Sequence, residues 1–452
     1  MDQGNFKELK LSKEMLHNLQ RNAYLRMTPV QEAAIPPLLQ KKDLIVQAKT
    51  GSGKTAAFGI GILENLRVQN FYIQSLIICP TRELADQVAK ELRTLAKFKH
   101  NIKILTLCGG VSFGPQLGSL RHGAHIVVGT PGRLLKHLKK ETLHLNRLES
   151  VILDEADRIL DMGFIEDLEE IFRYVPQKRQ TLLFSATFTD EIISMSEKIQ
   201  SDALHIQTKS LELPNKIHEI FYSCKHKQET LISVLAKFSP EKTIVFVNTK
   251  LQGKELSEYL VNNKIDALVI HGDLEQYERN DILVQFANGS CPVLVATDLA
   301  ARGLDIDGLD LVINYDLPST QDVYTHRIGR TGRAGKEGFA ISLYEANESI
   351  EIYKNQYREF LSSHELHTDN SFEMKPKNIT LVIEGGKKEK LRAGDILGAL
   401  TAGNLIKSQA IGKIDIYDKQ SYVAIQRDCI DKGFEILSHG RIKNKKFSVW
   451  IL

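Results

Sequence analysis

"DLIVQAKTGSGKTAAF" (residues 43–58) carries three signals in one line. A short unbroken apolar run comes first, a turn with two glycines follows, and a Lys-Thr pair then opens an Ala-rich stretch of helical character. Strand, glycine-rich turn and helix in this order make a phosphate-binding loop, because the backbone N–H groups at the helix start point at bound oxygens. Gly51 and Gly53 let the chain turn. Lys54 adds a point charge at the β and γ phosphates, and the Thr55 hydroxyl can hold Mg²⁺. The binding segment is Ala48, Lys49, Thr50, Gly51, Ser52, Gly53, Lys54 and Thr55. Ala48 stands where the common pattern has its first glycine, which keeps the loop narrow. The expected ligands are a nucleotide phosphate chain and Mg²⁺.

The alternation continues on either side. "SLIICP", "KILTLC", "HIVVGT", "SVILDE" and "TLLFSA" are further apolar runs, each followed by a motif and a helix-like stretch. Continuous apolar strands alternating with helices predict a parallel sheet covered on both faces. The pattern begins again at "TIVFVNT", "DALVIHG", "PVLVATD", "LVINYDLP" and "GFAISLYE". Between the two sets, the polar, Pro-containing "TKSLELPNKIHE" (208–219) reads as a linker. A second change falls in "SSHELHTDNSFEMKPK" (362–377), which has no apolar period. The predicted organisation is two α/β domains, residues 1–207 and 208–365, a linker 366–376, and a small domain 377–452.

Bulk properties agree. Of 452 residues, 42% are hydrophobic and 25% charged, as in an ordinary water-exposed protein. No apolar run approaches the ~20 residues that span a bilayer, and "MDQGNFKELKLSKEML" is too polar for a secretory signal. Five cysteines, at 79, 108, 224, 291 and 429, form no C-x-x-C pair and are odd in number. They read as reduced thiols of a cytoplasmic protein. The net charge is only +3, yet from Lys377 onward fourteen Lys and Arg face eight Asp and Glu. The tail supplies the whole basic excess, which suggests an anionic partner.

"VILDEAD" (151–157) puts Asp154 at the end of a buried strand, where open α/β sheets bind ligands. Asp154 can hold Mg²⁺ through water, and Glu155 is placed to polarise the attacking water. "AKTGSGKT", "PTRELA" (80–85), "TPGR" (130–133), "DEAD" (154–157) and "SAT" (185–187), in this order, resemble a DEAD-box RNA helicase. So do "HGDLEQYER" (271–279), "ATDLAARGLDI" (296–306) and "HRIGRTGRAG" (326–335). The resemblance covers roughly residues 1–345 and implies two RecA-like domains acting as an RNA-dependent ATPase.

It also implies roles for quieter residues. Gln31 of "TPVQ" (28–31) would read the adenine edge, and Phe6 would stack on the base. Ala23 and Met27 stand where the family has Gly and Pro, with small changes in loop geometry expected. Asp305 would bond the ribose, while Arg330 and Arg333 would be arginine fingers that offset developing charge on the γ-phosphate. Ser185, Thr187, His326 and Arg327 would couple closure to RNA work. Pro80, Thr81, Arg82, Gly110, Thr130 and Arg133 in the first domain would contact RNA, as would Gly272, Gln276, Arg279 and Thr297 in the second. Such groups suit phosphate, sugar and 2′-OH, and would select RNA without reading sequence.

The tail reads β-α-β-β-α-β, the order of an RRM-like sheet. Tyr422 fits one aromatic slot of the third strand, but the first strand has no aromatic, so base stacking on the sheet face is not expected. "GGKKEKLRAGDILGAL" (385–400) after a DEAD-box core resembles the C-terminal domain of DbpA/YxiN-type bacterial helicases. Those bind a large-subunit ribosomal RNA hairpin, which implies pre-ribosomal particles as partners and no membrane. Lys387, Lys388, Lys390 and Arg392 would grip the hairpin from the loop and helix start. Two alternatives are a non-sequence-specific RNA clamp and a non-enzymatic RNA-binding scaffold. The second is disfavoured because Lys54, Asp154, Glu155, Arg330 and Arg333 are all present. A DNA translocase fits worse.

Overall fold

The computed structural model describes residues 4–48, 51–207, 217–301, 309–332, 337–354, 357–366 and 371–452. The chain divides at residue 214 into two compact units. The first holds seven parallel strands: β1 (Leu44–Gln47), β2 (Ser75–Ile78), β3 (Ile104–Leu107), β4 (Ile126–Gly129), β5 (Ser150–Leu153), β6 (Gln180–Ser185) and β7 (Leu204–Gln207). Their spatial order is β3-β4-β2-β5-β6-β1-β7. Alternate side chains feed two separate cores: Leu44 and Val46 lie in one, Ile45 in the other. Burial on both faces is why these runs are apolar throughout instead of alternating.

The second unit repeats the plan with β8 (Ile217–Ser223), β9 (Thr243–Val247), β10 (Ala267–Ile270), β11 (Val293–Thr297), β12 (Leu311–Asn314), β13 (Gly338–Tyr344) and β14 (Arg358–Ser362), in the order β10-β11-β9-β12-β13-β8-β14. All pairings within this seven-stranded sheet are parallel. The same unit ends in an antiparallel sheet of β15 (Asn378–Ile383), β16 (Ile411–Ile416), β17 (Ser421–Gln426) and β18 (Val449–Ile451), ordered β16-β17-β15-β18. Helices Ala393–Thr401 and Ile430–His439 cover one face through Ile396, Leu400 and Leu437. The expected α/β architecture with a small α+β domain is therefore what the chain adopts.

The other face of the small sheet is closed by the second unit itself. Val382, Tyr422, Trp450 and Leu452 pack with Val284 of helix Gln276–Ala287. The Tyr422 hydroxyl donates to Asp281 Oδ1 at 2.7 Å, and the buried Asn288 Nδ2 donates to Thr380 Oγ1 at 2.9 Å. Before this sheet begins, Met374 forms a parallel bridge with Ile265, just ahead of β10: its N–H donates to Lys264 O (3.1 Å) and its carbonyl accepts from Asp266 N (2.9 Å).

Candidate functional site

The phosphate loop leaves the carboxyl end of β1, and Ala48 N donates to Ser185 O at 2.9 Å, tying the loop to the end of β6. Gly53 has φ +90° and caps helix Lys54–Asn65. A Cβ there would sit 2.5 Å from Gln31 Nε2, so only glycine fits. Gln31 is 3% exposed; its Nε2 donates to Gly53 O (3.2 Å) and its Oε1 accepts from Thr28 N (3.0 Å). Gln31 thus braces the loop at Gly53. Phe6 is 3% exposed and lies edge-on to Tyr24 within the first core. Ala23, where a glycine was expected, holds φ +62°.

Asp154 follows β5, two strands from β1. Its carboxyl is pushed up to about 7, chiefly by burial and further by Glu155, against the lowering effect of Lys54. Among the described residues, buried Lys54 Nζ, Asp154 Oδ1, Ser52 Oγ and Thr28 Oγ1 have no hydrogen-bond partner. Buried polar atoms are ordinarily satisfied, and a cluster of orphans asks for a ligand. Cation, carboxylate and hydroxyl together match the donor and acceptor set of a nucleotide phosphate chain with its divalent ion, so the residues present fit Mg²⁺ and ATP. Nearby burial drives the Cys79 thiol well up, leaving it unreactive.

Glu155 has φ +53°, and its Oε2 pairs with buried Arg158 Nη1 at 2.8 Å. Asp157 Oδ2 accepts from Ala186 N (3.1 Å), Thr187 N (3.3 Å) and Thr187 Oγ1 (3.4 Å). The "DEAD" and "SAT" segments are joined by this one carboxylate. Sequence reading assigned Thr187 a coupling role but no role to Asp157 or Arg158. Their position inside "DEADR" was the available signal.

On the same unit, Thr81 caps helix Arg82–Leu95 and Thr130 precedes helix Pro131–Lys139. Gly110 has φ +72°, and a Cβ on it would collide with the Arg82 guanidinium. Arg133 donates to Gln116 Oε1 (2.7 Å) and Val111 O (2.9 Å). Arg82, Gly110 and Arg133 therefore converge, while Pro80 lies buried just ahead of Thr81. Gln116 is held in turn by His137 Nε2 at 3.1 Å. His137 is fully buried and stacks on Phe113 at 4.1 Å; burial lowers its pKa to about 4. Neither Gln116 nor His137 was anticipated.

In the second unit, Arg327 is enclosed. Its Nε and Nη2 bond both oxygens of Asp298 at 2.7 Å, and its Nη1 reaches Asn314 Oδ1 at 3.2 Å. Arg330 is 7% exposed and His326 half-buried. Arg279 donates to His271 O and Ala300 O at 3.4 Å, and Gln276 to Asn280 Oδ1 at 3.1 Å. Thr297 ends β11, and the space a Gly272 Cβ would enter is open for 4 Å. Lys49, Thr50, Asp305 and Arg333 lie outside the described residues.

In the tail, Lys387, Lys388, Lys390 and Arg392 are all exposed. Lys387 N donates to Tyr417 O (2.8 Å) and Lys388 N to Asp418 O (3.0 Å), so their loop lies on the β16–β17 turn. Gly386 makes this approach possible, because a Cβ would come 2.2 Å from Tyr417 O.

Comparison with known proteins follows these divisions. Residues 28–195 match the DEAD/DEAH box helicase model, 226–335 the helicase conserved C-terminal domain, and 380–451 the DbpA RNA binding domain. The chain is 47% identical over 449 residues to the ATP-dependent RNA helicase DbpA of Escherichia coli, covering 97% of each. To the Bacillus subtilis protein of the same name it is 38% identical, covering 99% of each. Among solved structures, S. cerevisiae Dbp5 bound to RNA and ADP BeF3 superposes with a TM-score of 0.72 at 30% identity, over 79% of this chain and 96% of that one. Mss116p bound to ssRNA and AMP-PNP gives 0.71 at 28%, over 80% of each. No helix among the described residues is long and apolar enough to cross a membrane.

Proposed function

Because the chain belongs to the DEAD-box ATP-dependent RNA helicases of the DbpA group, we propose that it remodels large-subunit ribosomal RNA during ribosome assembly, carried to a hairpin there by its C-terminal domain. The enzyme hydrolyses ATP in an RNA-dependent way, and RNA is its partner. The observation that carries the catalytic assignment is the buried, unpartnered pair of Lys54 Nζ, at the helix start, and Asp154 Oδ1, just past the end of β5.

Lys54 and the backbone of Gly51–Gly53 would cradle the phosphates, and Thr55 with Asp154 would hold Mg²⁺. A bound Mg²⁺ ion supplies charge neutralisation at the β and γ phosphates. Glu155 would orient and deprotonate the attacking water; its ion pair with Arg158 fixes where its carboxylate points. Phe6 and Gln31 would place the adenine and Asp305 the ribose. Arg330 and Arg333 would add positive charge from the second domain, which makes hydrolysis depend on that domain. Ser185 and Thr187 would report nucleotide state through Asp157, with His326 and Arg327 as their counterparts. Pro80, Thr81, Arg82, Gly110, Thr130 and Arg133, and then Gly272, Gln276, Arg279 and Thr297, would follow the RNA backbone. The protein works in the cytoplasm on this reading.

Targeting would rest on the exposed Lys387, Lys388, Lys390 and Arg392. Replacing all four with Ala should raise the RNA concentration that half-stimulates the ATPase. For a single strand, each lost phosphate contact removes about 0.7 from the slope of log K against log salt. The ribosomal hairpin should lose far more affinity than random RNA of equal length. An unchanged hairpin-to-random ratio would remove the tail from target choice and leave a general clamp.

A further inference from the structure

An RRM-like sheet ordinarily offers aromatic side chains on its open face. Here that face is occupied. Tyr422, the aromatic of the third strand, is 3% exposed, packs with Val284 and donates its hydroxyl to Asp281. Trp450 belongs to the same cluster. The opposite face is filled by the two helices of the small domain.

One aromatic remains accessible at the margin. Tyr417, at the end of β16, is 43% exposed. Its N–H donates to Gln420 O at 2.8 Å, which closes the turn to β17. Its ring meets that of Tyr422 edge-on, with centroids 5.4 Å apart and planes at 82°. The ring is thus held against a residue that is itself fixed. The loop carrying Lys387 and Lys388 is bound to the same turn through Tyr417 O and Asp418 O. Lys387, Lys388 and Lys419 are exposed, and none makes an ion pair among the described residues. The acidic groups nearby are partly engaged: Glu389 accepts from Gly386 N at 2.8 Å, and Asp415 pairs with Lys413 at 3.1 Å, while Asp418 is exposed.

An oriented ring beside cations is what a single-stranded nucleotide needs, since a base stacks on the ring while its flanking phosphates meet the ammonium groups. We propose that Tyr417 is the side chain on which the tail stacks an unpaired RNA base, at a corner shared with Lys387 and Lys388. Tyr422 has the complementary task of docking the small domain. The proposal rests on the reading that the tail lysines bind RNA.

The test uses the full-length protein and fluorescence anisotropy with a hairpin RNA bearing an unpaired loop. Tyr417→Ala should weaken binding by roughly tenfold or more, the usual cost of a lost base–aromatic stack. Tyr417→Trp should restore it. The Trp emission of that variant should be quenched by RNA beyond the quenching of wild type, whose single tryptophan is Trp450. Binding of Tyr417→Ala within twofold of wild type overturns the proposal. If Lys387→Ala/Lys388→Ala weakens binding while Tyr417→Ala does not, the tail reading stands and stacking falls. If neither weakens it, the tail reading falls as well. Should Tyr417→Ala disturb the hairpin, Tyr417→Trp decides alone: quenched emission supports stacking and unquenched emission refutes it.

Discussion

Removing a single oxygen from Tyr422 tests whether the small domain is fastened to the second core domain as described. Tyr422→Phe keeps the ring that packs against Val284, so no cavity opens and the change removes only the hydroxyl's contacts, the 2.7 Å bond to Asp281 and a longer one of 3.2 Å to Gln420 Oε1. A hydrogen bond to a charged acceptor contributes about 1.5–3 kcal/mol, and part of that is recovered when water reaches the half-buried carboxylate. The expected loss is therefore about 1 kcal/mol. Trp450 lies in the same cluster and is the only tryptophan, so its fluorescence during a urea titration reports this interface. The sign of the pH dependence can be worked out. Burial raises the Asp281 pKa, while the Tyr422 hydroxyl lowers it by favouring the carboxylate. A contact that lowers a folded-state pKa stabilises above that pKa and fades as pH falls through it. The penalty of Tyr422→Phe should thus be present at neutral pH and shrink in acid. A double-mutant cycle with Asp281→Ala, which removes the acceptor, should return most of the 1 kcal/mol as coupling. Coupling below about 0.3 kcal/mol, or a penalty that grows on acidification, would refute the fastening.

Three further outcomes follow from the first unit. Glu155→Gln should cut RNA-stimulated ATP turnover by about 10²-fold or more while ATP still binds, because the water loses its base; turnover within a few-fold of wild type, measured by phosphate release, would sink that role. Ala23→Gly should raise the stability of the unit by about 0.5–1 kcal/mol, since Ala23 carries a Cβ at φ +62°, and a lower melting temperature would show that the site is unstrained. His137 has its pKa lowered by burial, so the unfolded chain binds the extra proton first and stability should fall as pH drops below about 6.5, by about 1 kcal/mol at pH 5.5. His137→Gln should flatten that part of the pH profile; an unchanged profile would clear His137 of the effect.

The six apolar runs of the first domain were legible because double-sided burial leaves a continuous hydrophobic word in the sequence. In the two large sheets, strands without such burial were not, whereas the small sheet's partly exposed β16 was read from its alternation. β7, with His205 and Gln207 at an exposed edge, alternates; β14 forms the corresponding edge of the second sheet in a stretch with no motif. β8, "IHEIFYS", hides among polar letters although its second half is buried. The phosphate loop and the strand-end acids could be read from local spacing. The tasks of Asp157 and Tyr422 could not, since Asp157 meets Thr187 thirty residues on and Tyr422 meets Asp281 across 141 residues.

Met374 has a consequence for how this enzyme is handled. By bridging Ile265 it partners the segment that leads into β10, the outermost strand of a seven-stranded sheet, and such margins otherwise recruit foreign chains. A truncated helicase core ending at residue 365 would lose that cover and, with it, the sheet that shields Val284. The trimmed protein should keep its catalytic groups yet self-associate at working concentrations, so a weak ATPase measured on it would report sticky margins before it reported the absence of an RNA-targeting domain.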